Sequence, residues 1–146
     1  MIPEFYDGNF LPDGEYVATW DEVVARFGGN ERRKGFCDRL LTFLRQAKLC
    51  GFLKVYLFGS FISAKSDPGD VDLLWIHRQN LNYDLLSQEC HELLVEYPVM
   101  KAREGWDMFC CSDDAVIIDN FMAAFRKDKA PGRKPRGVIL LELRDL

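Results

Sequence analysis

Two apolar runs separated by a short polar loop constrain the fold of this chain more than any other part of its sequence. The first run is residues 54–61 (KVYLFGSF) and the second is residues 70–76 (DVDLLWI). Both are rich in β-branched and aromatic residues, which favour strands. Residues 63–69 between them (SAKSDPG) are typical of a turn. We therefore expect two strands joined by this loop.

The polar residues at the ends of these runs indicate a binding site. The first run contains Gly59 and Ser60, and the second begins with Asp70 and Asp72. Successive side chains of a strand point to opposite faces, so the two aspartates should share one face, roughly 6.5–7 Å apart at Cα. Carboxylates at that spacing can share divalent cations, and a Gly-Ser turn offers N–H groups and a hydroxyl to a phosphate. The pattern predicts a metal–triphosphate site.

The same residues resemble a known signature. Gly59-Ser60, nine intervening residues and then Asp70-Val71-Asp72 between apolar residues is similar to the motif of the polymerase-β-type nucleotidyltransferase superfamily. The resemblance covers about residues 30–127. The opening of the chain, residues 8–30, also resembles small prokaryotic proteins of this superfamily with no assigned activity.

The resemblance implies a set of site residues. Members of the superfamily add a third carboxylate from a later strand, and Asp107 in the run GWDMFCC is the natural candidate. Asp70 and Asp72 would bind two Mg²⁺ or Mn²⁺ ions, and Asp107 would complete the ion that activates the attacking hydroxyl. Ser60, with the backbone at Gly59, would hold the β- and γ-phosphates of an NTP.

Other interpretations of these residues remain open. Asp70 could only cap a turn, Asp72 could lie at an exposed strand end, and Asp107 could face solvent. Lys65 is either a nucleotide-binding residue or a solvated lysine. The basic loop at residues 126–136 could contact RNA, triphosphate or an acidic partner, or could only increase solubility.

Four more basic or titratable side chains are weaker candidates. Arg32 and Arg33 could contact phosphate, but a solvated helix face is the preferred interpretation. His77 could lie near the site or only end a strand. His91 lacks ligand spacing, and we expect it to be structural.

The resemblance also implies an activity: transfer of a nucleotide from an NTP to a hydroxyl on a partner protein or RNA. Small members of the superfamily often serve as antitoxins that modify a partner toxin, so a toxin–antitoxin or phage-defence setting is expected. The chain ends at Leu146 without the helical domain of larger members. A partner or self-association would then complete the site. The alternatives are a non-catalytic module of the same fold that neutralises a partner protein, and an RNA-binding protein that uses the basic loop.

Composition limits the class of protein. With 48% hydrophobic and 29% charged residues, the 146-residue chain is expected to form one ordinary globular domain. Its net charge of −4 argues against a general nucleic-acid binder. No apolar run has the length of a membrane span, so a cytoplasmic location is expected. Five cysteines without a Cys-x-x-Cys pair indicate neither a disulfide framework nor a zinc site, and we expect reduced thiols.

The predicted elements form an α/β (α+β) domain, a mixed sheet of about four to five strands layered with helices. Residues 1–18 should be an extended, irregular arm. Residues 19–50 should form two helices capped by Thr19 and Asn30, the second with an apolar stripe at helical spacing. Residues 54–143 should form the catalytic sheet with its helices.

Within that last segment, further elements follow the two central strands. The predicted helices are residues 82–97 and a helix capped by Ser112 or Asp113 that runs to about Lys127. The remaining predicted strands are residues 99–102, 106–111 and 138–141.

Overall fold

The computed structural model describes residues 1–6, 8–94, 106–126 and 135–146. These residues form one five-stranded mixed sheet with helices on both faces, which confirms the predicted fold class. The order of the strands across the sheet is β1-β5-β2-β3-β4. The strands are β1 (Glu15–Val17), β2 (Phe52–Phe58), β3 (Asp72–His77), β4 (Asp107–Ser112) and β5 (Val138–Glu142).

The two predicted central strands are neighbours in the sheet. β2 is antiparallel to β3, which is the arrangement expected of two runs joined by a short loop. β2 is also antiparallel to β5, while β1 runs parallel to β5 and β4 runs parallel to β3. The end of β2 therefore lies next to the beginnings of β3 and β5, and the beginning of β4 lies next to that of β3. These four strand ends lie along the same side of the sheet, where the strands enter or leave it.

Four helices accompany the sheet in the described part of the chain, and the predicted caps of the first two are confirmed. Thr19 accepts a hydrogen bond from the Glu22 amide, and the Glu22 carboxylate accepts one from the Thr19 amide. Asn30 caps the second helix by accepting a hydrogen bond from the Arg33 amide. The helices are α1 (Trp20–Phe27), α2 (Glu31–Leu49), α3 (Gln88–Leu94) and α4 (Ala115–Phe125).

Each face of the sheet has its own core. On one face, α1 and α2 pack over Val55, Leu57 and Trp75. The residues of the predicted α2 stripe are all buried there: Phe36, Leu40, Phe43, Leu44 and Ala47. On the other face, α4 buries Ile118 and Met122 against the sheet. The molecule is therefore a helix–sheet–helix sandwich.

The predicted extended arm contains a strand that sequence patterns did not indicate. Residues 15–17 form β1 at the edge of the sheet, paired with β5. The Val138 amide donates to the Gly14 carbonyl, and the Ala18 amide donates to the Leu140 carbonyl. A three-residue strand is too short to show a hydrophobic period, so only the pairing with a distant strand reveals it.

Several predicted boundaries were wrong. β3 begins at Asp72, so Asp70 lies just before the strand. The helix predicted from residue 82 begins at Gln88, because residues 83–85 form a short 3-10 turn capped by Asn82. The cap of α4 is Asp114, whose carboxylate accepts from two amides, and not Ser112 or Asp113.

Some predictions fall outside the described residues. These are the strand at residues 99–102, the predicted ends of two helices at residues 97 and 127, and most of the basic loop at residues 126–136.

The expectation of five reduced cysteines was wrong, because Cys50 and Cys90 form a disulfide. Cys50 follows the last turn of α2 and Cys90 lies in α3, so the bond joins these two helices across 40 positions of sequence. Cys37, Cys110 and Cys111 are free thiols. Among the described residues, no helix combines the length and the apolar character needed to cross a membrane.

Candidate metal centre and phosphate site

The three aspartates predicted from the sequence come together at one edge of the sheet. Asp70, Asp72 and Asp107 each offer one carboxylate oxygen, and these three oxygens lie within 4.8 Å of one another. All three side chains are half-buried. The proximity of Asp107 to the other two is a result of the fold, since 35 positions of sequence separate it from Asp72.

Strand register brings Asp72 and Asp107 together. The two residues are direct partners in the parallel pairing of β3 with β4. Partners in register point to the same face, and neighbouring strands lie about 4.8 Å apart. Asp70 precedes the strand by two residues and reaches the same point from the loop. The shared carboxylate site was predicted, but Asp70 belongs to it through the loop and not through strand alternation.

Trp106 determines which face Asp107 occupies. Its indole is fully buried in the core beneath α2, with its ring centroid 5.4 Å from that of Phe43. Because adjacent side chains point to opposite faces, a buried Trp106 directs Asp107 to the α4 face, where Asp72 also lies. The alternative interpretation, that Asp107 only faces solvent, is therefore wrong.

Gly59 lies against the Asp72 carboxylate. It follows β2 with a φ of +79°, a conformation that favours glycine. A β-carbon placed on Gly59 would be 1.9 Å from Asp72 Oδ2. Glycine is therefore required here for two reasons, the backbone conformation and the space that the carboxylate occupies.

Arg33 holds the loop that follows Ser60. Its side chain is only 6% exposed, so the prediction of a solvated position was wrong. The guanidinium donates to the carbonyl oxygens of Phe61 (2.6 Å), Ser63 (2.8 Å) and Lys65 (2.5 Å), and also to that of Phe27 (3.2 Å). Burial lowers the pKa of Arg33. One buried cation thus fixes the backbone of residues 61–65.

The sequence contained a signal for this role. Arg33 lies three positions before Phe36 and seven before Leu40, so it extends the apolar stripe of α2 towards the start of the helix. A charged residue on a buried stripe needs partners, and the loop carbonyls supply them.

Neighbouring residues fix the rest of the loop. Arg32 is half-exposed, in agreement with the sequence-based interpretation, and donates to the Pro68 carbonyl while pairing with Asp67. The Asn30 side chain donates to the Ser66 carbonyl over 2.8 Å. The start of α2 thus positions the whole connection between Ser60 and Asp70.

Two of the three predicted phosphate-binding residues, Ser60 and Lys65, line one cavity, and Gly59 is not part of its lining. Ser60 and Lys65 border a space of about 390 Å³, together with Arg136 and the amino-terminal residues Asn9 and Phe10. Arg136 belongs to the described end of the basic loop, for which contact with a triphosphate was one of the interpretations left open by the sequence. A broad groove of about 1190 Å³ between α1, α2 and the last residues of the chain contains none of the predicted site residues.

The two histidines lie away from the aspartates. His77 ends β3, five positions and roughly 17 Å from Asp72 along an extended strand. It is buried, with Nδ1 2.8 Å from the Arg78 carbonyl and Nε2 3.1 Å from the Tyr83 hydroxyl. His91 lies in α3. His77 therefore ends the strand and takes no part in the carboxylate site.

The donor set fits Mg²⁺ or Mn²⁺. Three carboxylates are hard oxygen ligands of the kind that these ions prefer, and Mg²⁺ commonly uses few protein carboxylates together with the phosphates of a substrate. The half-buried position leaves one side of the cluster accessible to such a substrate. Asp70, Asp72 and Asp107 are the residues that would hold the ions.

Comparison with known proteins gives a family but no activity. No curated protein and no solved structure matches the chain. Residues 3–142 match DUF6932, a family of unknown function. The match spans nearly the whole chain, which therefore belongs to the DUF6932 family.

Proposed function

We propose that the protein is a metal-dependent nucleotidyltransferase that transfers a nucleotide from an NTP to a hydroxyl. The observation that carries this proposal is the convergence of three carboxylate oxygens within 4.8 Å of one another beside Gly59. The resemblance of the Gly-Ser and Asp-x-Asp segments to the polymerase-β-type superfamily supports it independently of that geometry.

The residues divide into two groups of roles. Asp70, Asp72 and Asp107 would hold the Mg²⁺ or Mn²⁺ ions at the place where the α-phosphate of the NTP meets the acceptor. When bound, such ions polarise phosphoryl oxygens and lower the pKa of a coordinated hydroxyl. The Ser60 hydroxyl donates to the phosphate chain, and Gly59 allows Asp72 to lie next to that chain.

The proposed reaction is a simple displacement at the α-phosphorus. A bond forms between the acceptor oxygen and phosphorus while the bond to the β-phosphate oxygen breaks. Pyrophosphate leaves, and the proton of the acceptor hydroxyl passes to solvent. The protein contributes position and charge, which are the main requirements of phosphoryl-type transfer.

The acceptor is a hydroxyl on a partner protein or an RNA end. A partner toxin is the favoured acceptor, with the enzyme serving as an antitoxin or a phage-defence component. This part of the proposal rests on the resemblance to small prokaryotic nucleotidyltransferases.

Labelling tests the proposal. Each of the four α-labelled NTPs, with Mg²⁺ or Mn²⁺, is incubated with the protein and a lysate of the source cell. We expect label from at least one NTP to enter a macromolecule with wild type, and to be absent with both Asp70→Asn and Asp72→Asn. The labelled species identifies the acceptor. Label that persists in both variants would contradict the proposed site.

The alternative is a non-catalytic module that neutralises a partner protein by contact. The groove between α1 and α2 favours it, because that surface lies away from the aspartates and does not depend on them. This alternative predicts no label with any NTP and no stabilisation of the folded protein by metal and nucleotide. Partner binding would then survive Asp70→Asn.

A further inference from the structure

We propose that the cavity bordered by Ser60, Lys65 and Arg136 binds the terminal phosphates of the nucleotide, and that Arg136 is the main residue recognising the triphosphate. This inference rests on the proposed function, and it adds a cationic residue and a wall from the amino-terminal segment. It names the ligand class as a polyphosphate chain, independent of the base.

The sheet topology places Arg136 beside Ser60. β5 pairs with β2 in antiparallel register, with Leu57 opposite Ile139. The beginning of β5 thus lies next to the end of β2. Arg136 precedes β5 by two residues and Ser60 follows β2 by two residues, so both emerge at the same edge of the sheet. Both border the same cavity.

The side chains at this end of the strands are basic near β5 and β2 and acidic near β3 and β4. The cavity beside the β5–β2 junction contains Lys65 and Arg136, and none of its described lining residues is an aspartate or glutamate. The aspartates lie at the starts of β3 and β4, one to two strand spacings further along, or roughly 5–10 Å. A triphosphate with its α-phosphate at the aspartates would extend its terminal phosphates towards these two cations.

The walls of the cavity are fixed by backbone hydrogen bonds. The Ala64 amide donates to the Asn9 carbonyl over 2.8 Å, which attaches the amino-terminal turn to the loop after Ser60. The Gly137 amide donates to the Leu11 carbonyl over 3.0 Å. Fixed walls reduce the entropy lost when a ligand binds.

The two cations are positioned as well. The guanidinium carbon of Arg136 lies 3.6 Å from the centroid of the Phe10 ring, a cation–π contact that orients the group. The Lys65 carbonyl accepts a hydrogen bond from Arg33, so the exposed lysine side chain extends from a fixed backbone. Arginine suits phosphate because its planar group can donate two parallel hydrogen bonds. The cavity volume, about 390 Å³, is within the range of small-ligand sites.

Inorganic tripolyphosphate in EDTA tests this inference without the metal centre. Calorimetric titration of wild type should show binding that weakens with added salt. Arg136→Gln should weaken it about tenfold or more, and Arg136→Lys should weaken it less, because the charge remains. Lys65→Gln, a change at an exposed residue that leaves the fold intact, should weaken binding about threefold.

Two control variants separate this inference from the proposed function. Arg45→Gln removes the same charge from the exposed side of α2 and should bind tripolyphosphate as wild type does. Asp72→Asn removes an anion from the metal centre and should bind it at least as tightly. Retained binding by Asp72→Asn, together with no label transfer by wild type, would support the cavity while contradicting the enzyme.

The opposite result separates them in the other direction. Label transfer by wild type, with no tripolyphosphate binding or with an unchanged KM for NTP in Arg136→Gln, would overturn the cavity inference and leave the proposed function standing. Circular dichroism of Arg136→Gln establishes that the variant is folded. If that variant does not fold, unchanged binding by Lys65→Gln would overturn the inference.

Discussion

The Asp72 carboxylate occupies the space that a side chain at position 59 would need. A β-carbon on Gly59 would lie 1.9 Å from Oδ2 of Asp72 and 2.9 Å from its Cγ. The backbone of one strand end and the acid of the next strand are thus packed without any intervening group. Any side chain at position 59 must displace the acid.

Gly59→Ala should therefore damage both the fold and the site. The left-handed backbone and the clash together should cost at least about 2 kcal/mol in the free energy of unfolding. Stabilisation by Mn²⁺ should also weaken, since Asp72 is moved. Denaturant unfolding with and without Mn²⁺ measures both effects. Gly35→Ala is the matched control. A β-carbon on Gly35, which lies in α2, would meet no atom of another part of the protein within 4 Å, so this change should stabilise the protein by up to about 1 kcal/mol.

Replacement of the buried Arg33 should be among the most destabilising single changes. Arg33→Met leaves the carbonyls of Phe61, Ser63 and Lys65 buried or half-buried without their donor, which should cost about 3 kcal/mol or more. Arg32→Met, next to it, loses a solvent-screened pair with Asp67 and one hydrogen bond to the Pro68 carbonyl, and should cost about 1 kcal/mol. Urea denaturation of the two variants gives the comparison. Equal losses would contradict the role assigned to Arg33.

The sequence could predict the parts of the site that depend on residues close together in the chain. The end of β2 and the start of β3 are visible because an apolar run stops at Gly59-Ser60 and another starts around Asp72. Asp107 was assigned to the same site only through the resemblance to the polymerase-β-type superfamily. The register between β3 and β4, which brings it to Asp72, depends on residues far apart in the sequence. The choice between the interpretations of the basic loop stayed open for the same reason, because the approach of Arg136 to Ser60 depends on the pairing of β5 with β2.

Other features could not be predicted because their partners are distant or their segments are short. β1 has three residues, and its pairing with β5 spans more than 120 positions. The spacing of Cys50 and Cys90 does not indicate a pair, and only the packing of α3 against α2 brings them together. The position of Arg33 is the exception, since the α2 stripe could have predicted its burial.

Divalent metal should stabilise the folded protein through the three aspartates. A saturating concentration of Mn²⁺ should raise Tm by about 5 °C or more, since a ligand that binds only the folded state stabilises it. Asp107→Asn should lose this response. Asp119→Asn, at an exposed position of α4, should behave as wild type in calorimetry.

Reduction of the Cys50–Cys90 bond should lower stability. The bond closes a loop of 40 positions, and cross-links of this size typically contribute about 2–4 kcal/mol. Unfolded protein alkylated without reductant should carry three labels, at Cys37, Cys110 and Cys111, when examined by mass spectrometry. Cys50→Ser/Cys90→Ser should melt at the temperature of reduced wild type. Five labels in freshly purified protein would contradict the bond.

Stability should fall as the pH rises from about 9 to 11. Burial raises the pKa of the Cys37 thiol from 9.0 to about 11, and that of Cys111 also to about 11. The unfolded chain therefore releases these protons at a lower pH than the folded protein does. The folded state then binds more protons than the unfolded state, so the free energy of unfolding decreases with pH across this window. Below about pH 9 the contribution is fully present.

Thermal unfolding from pH 8 to 11 tests this, with Cys37→Ala/Cys111→Ala as the comparison. The double variant is expected to be less stable at pH 8, because it removes buried atoms, but its stability should fall less steeply with pH. Burial also raises the pKa of Tyr56 to about 12, so this residue makes stability fall with rising pH in both proteins. Parallel pH profiles for wild type and the double variant would show that the two thiols ionise with the same pKa in both states. In that case neither thiol would be protected by the cores in which the structure places them.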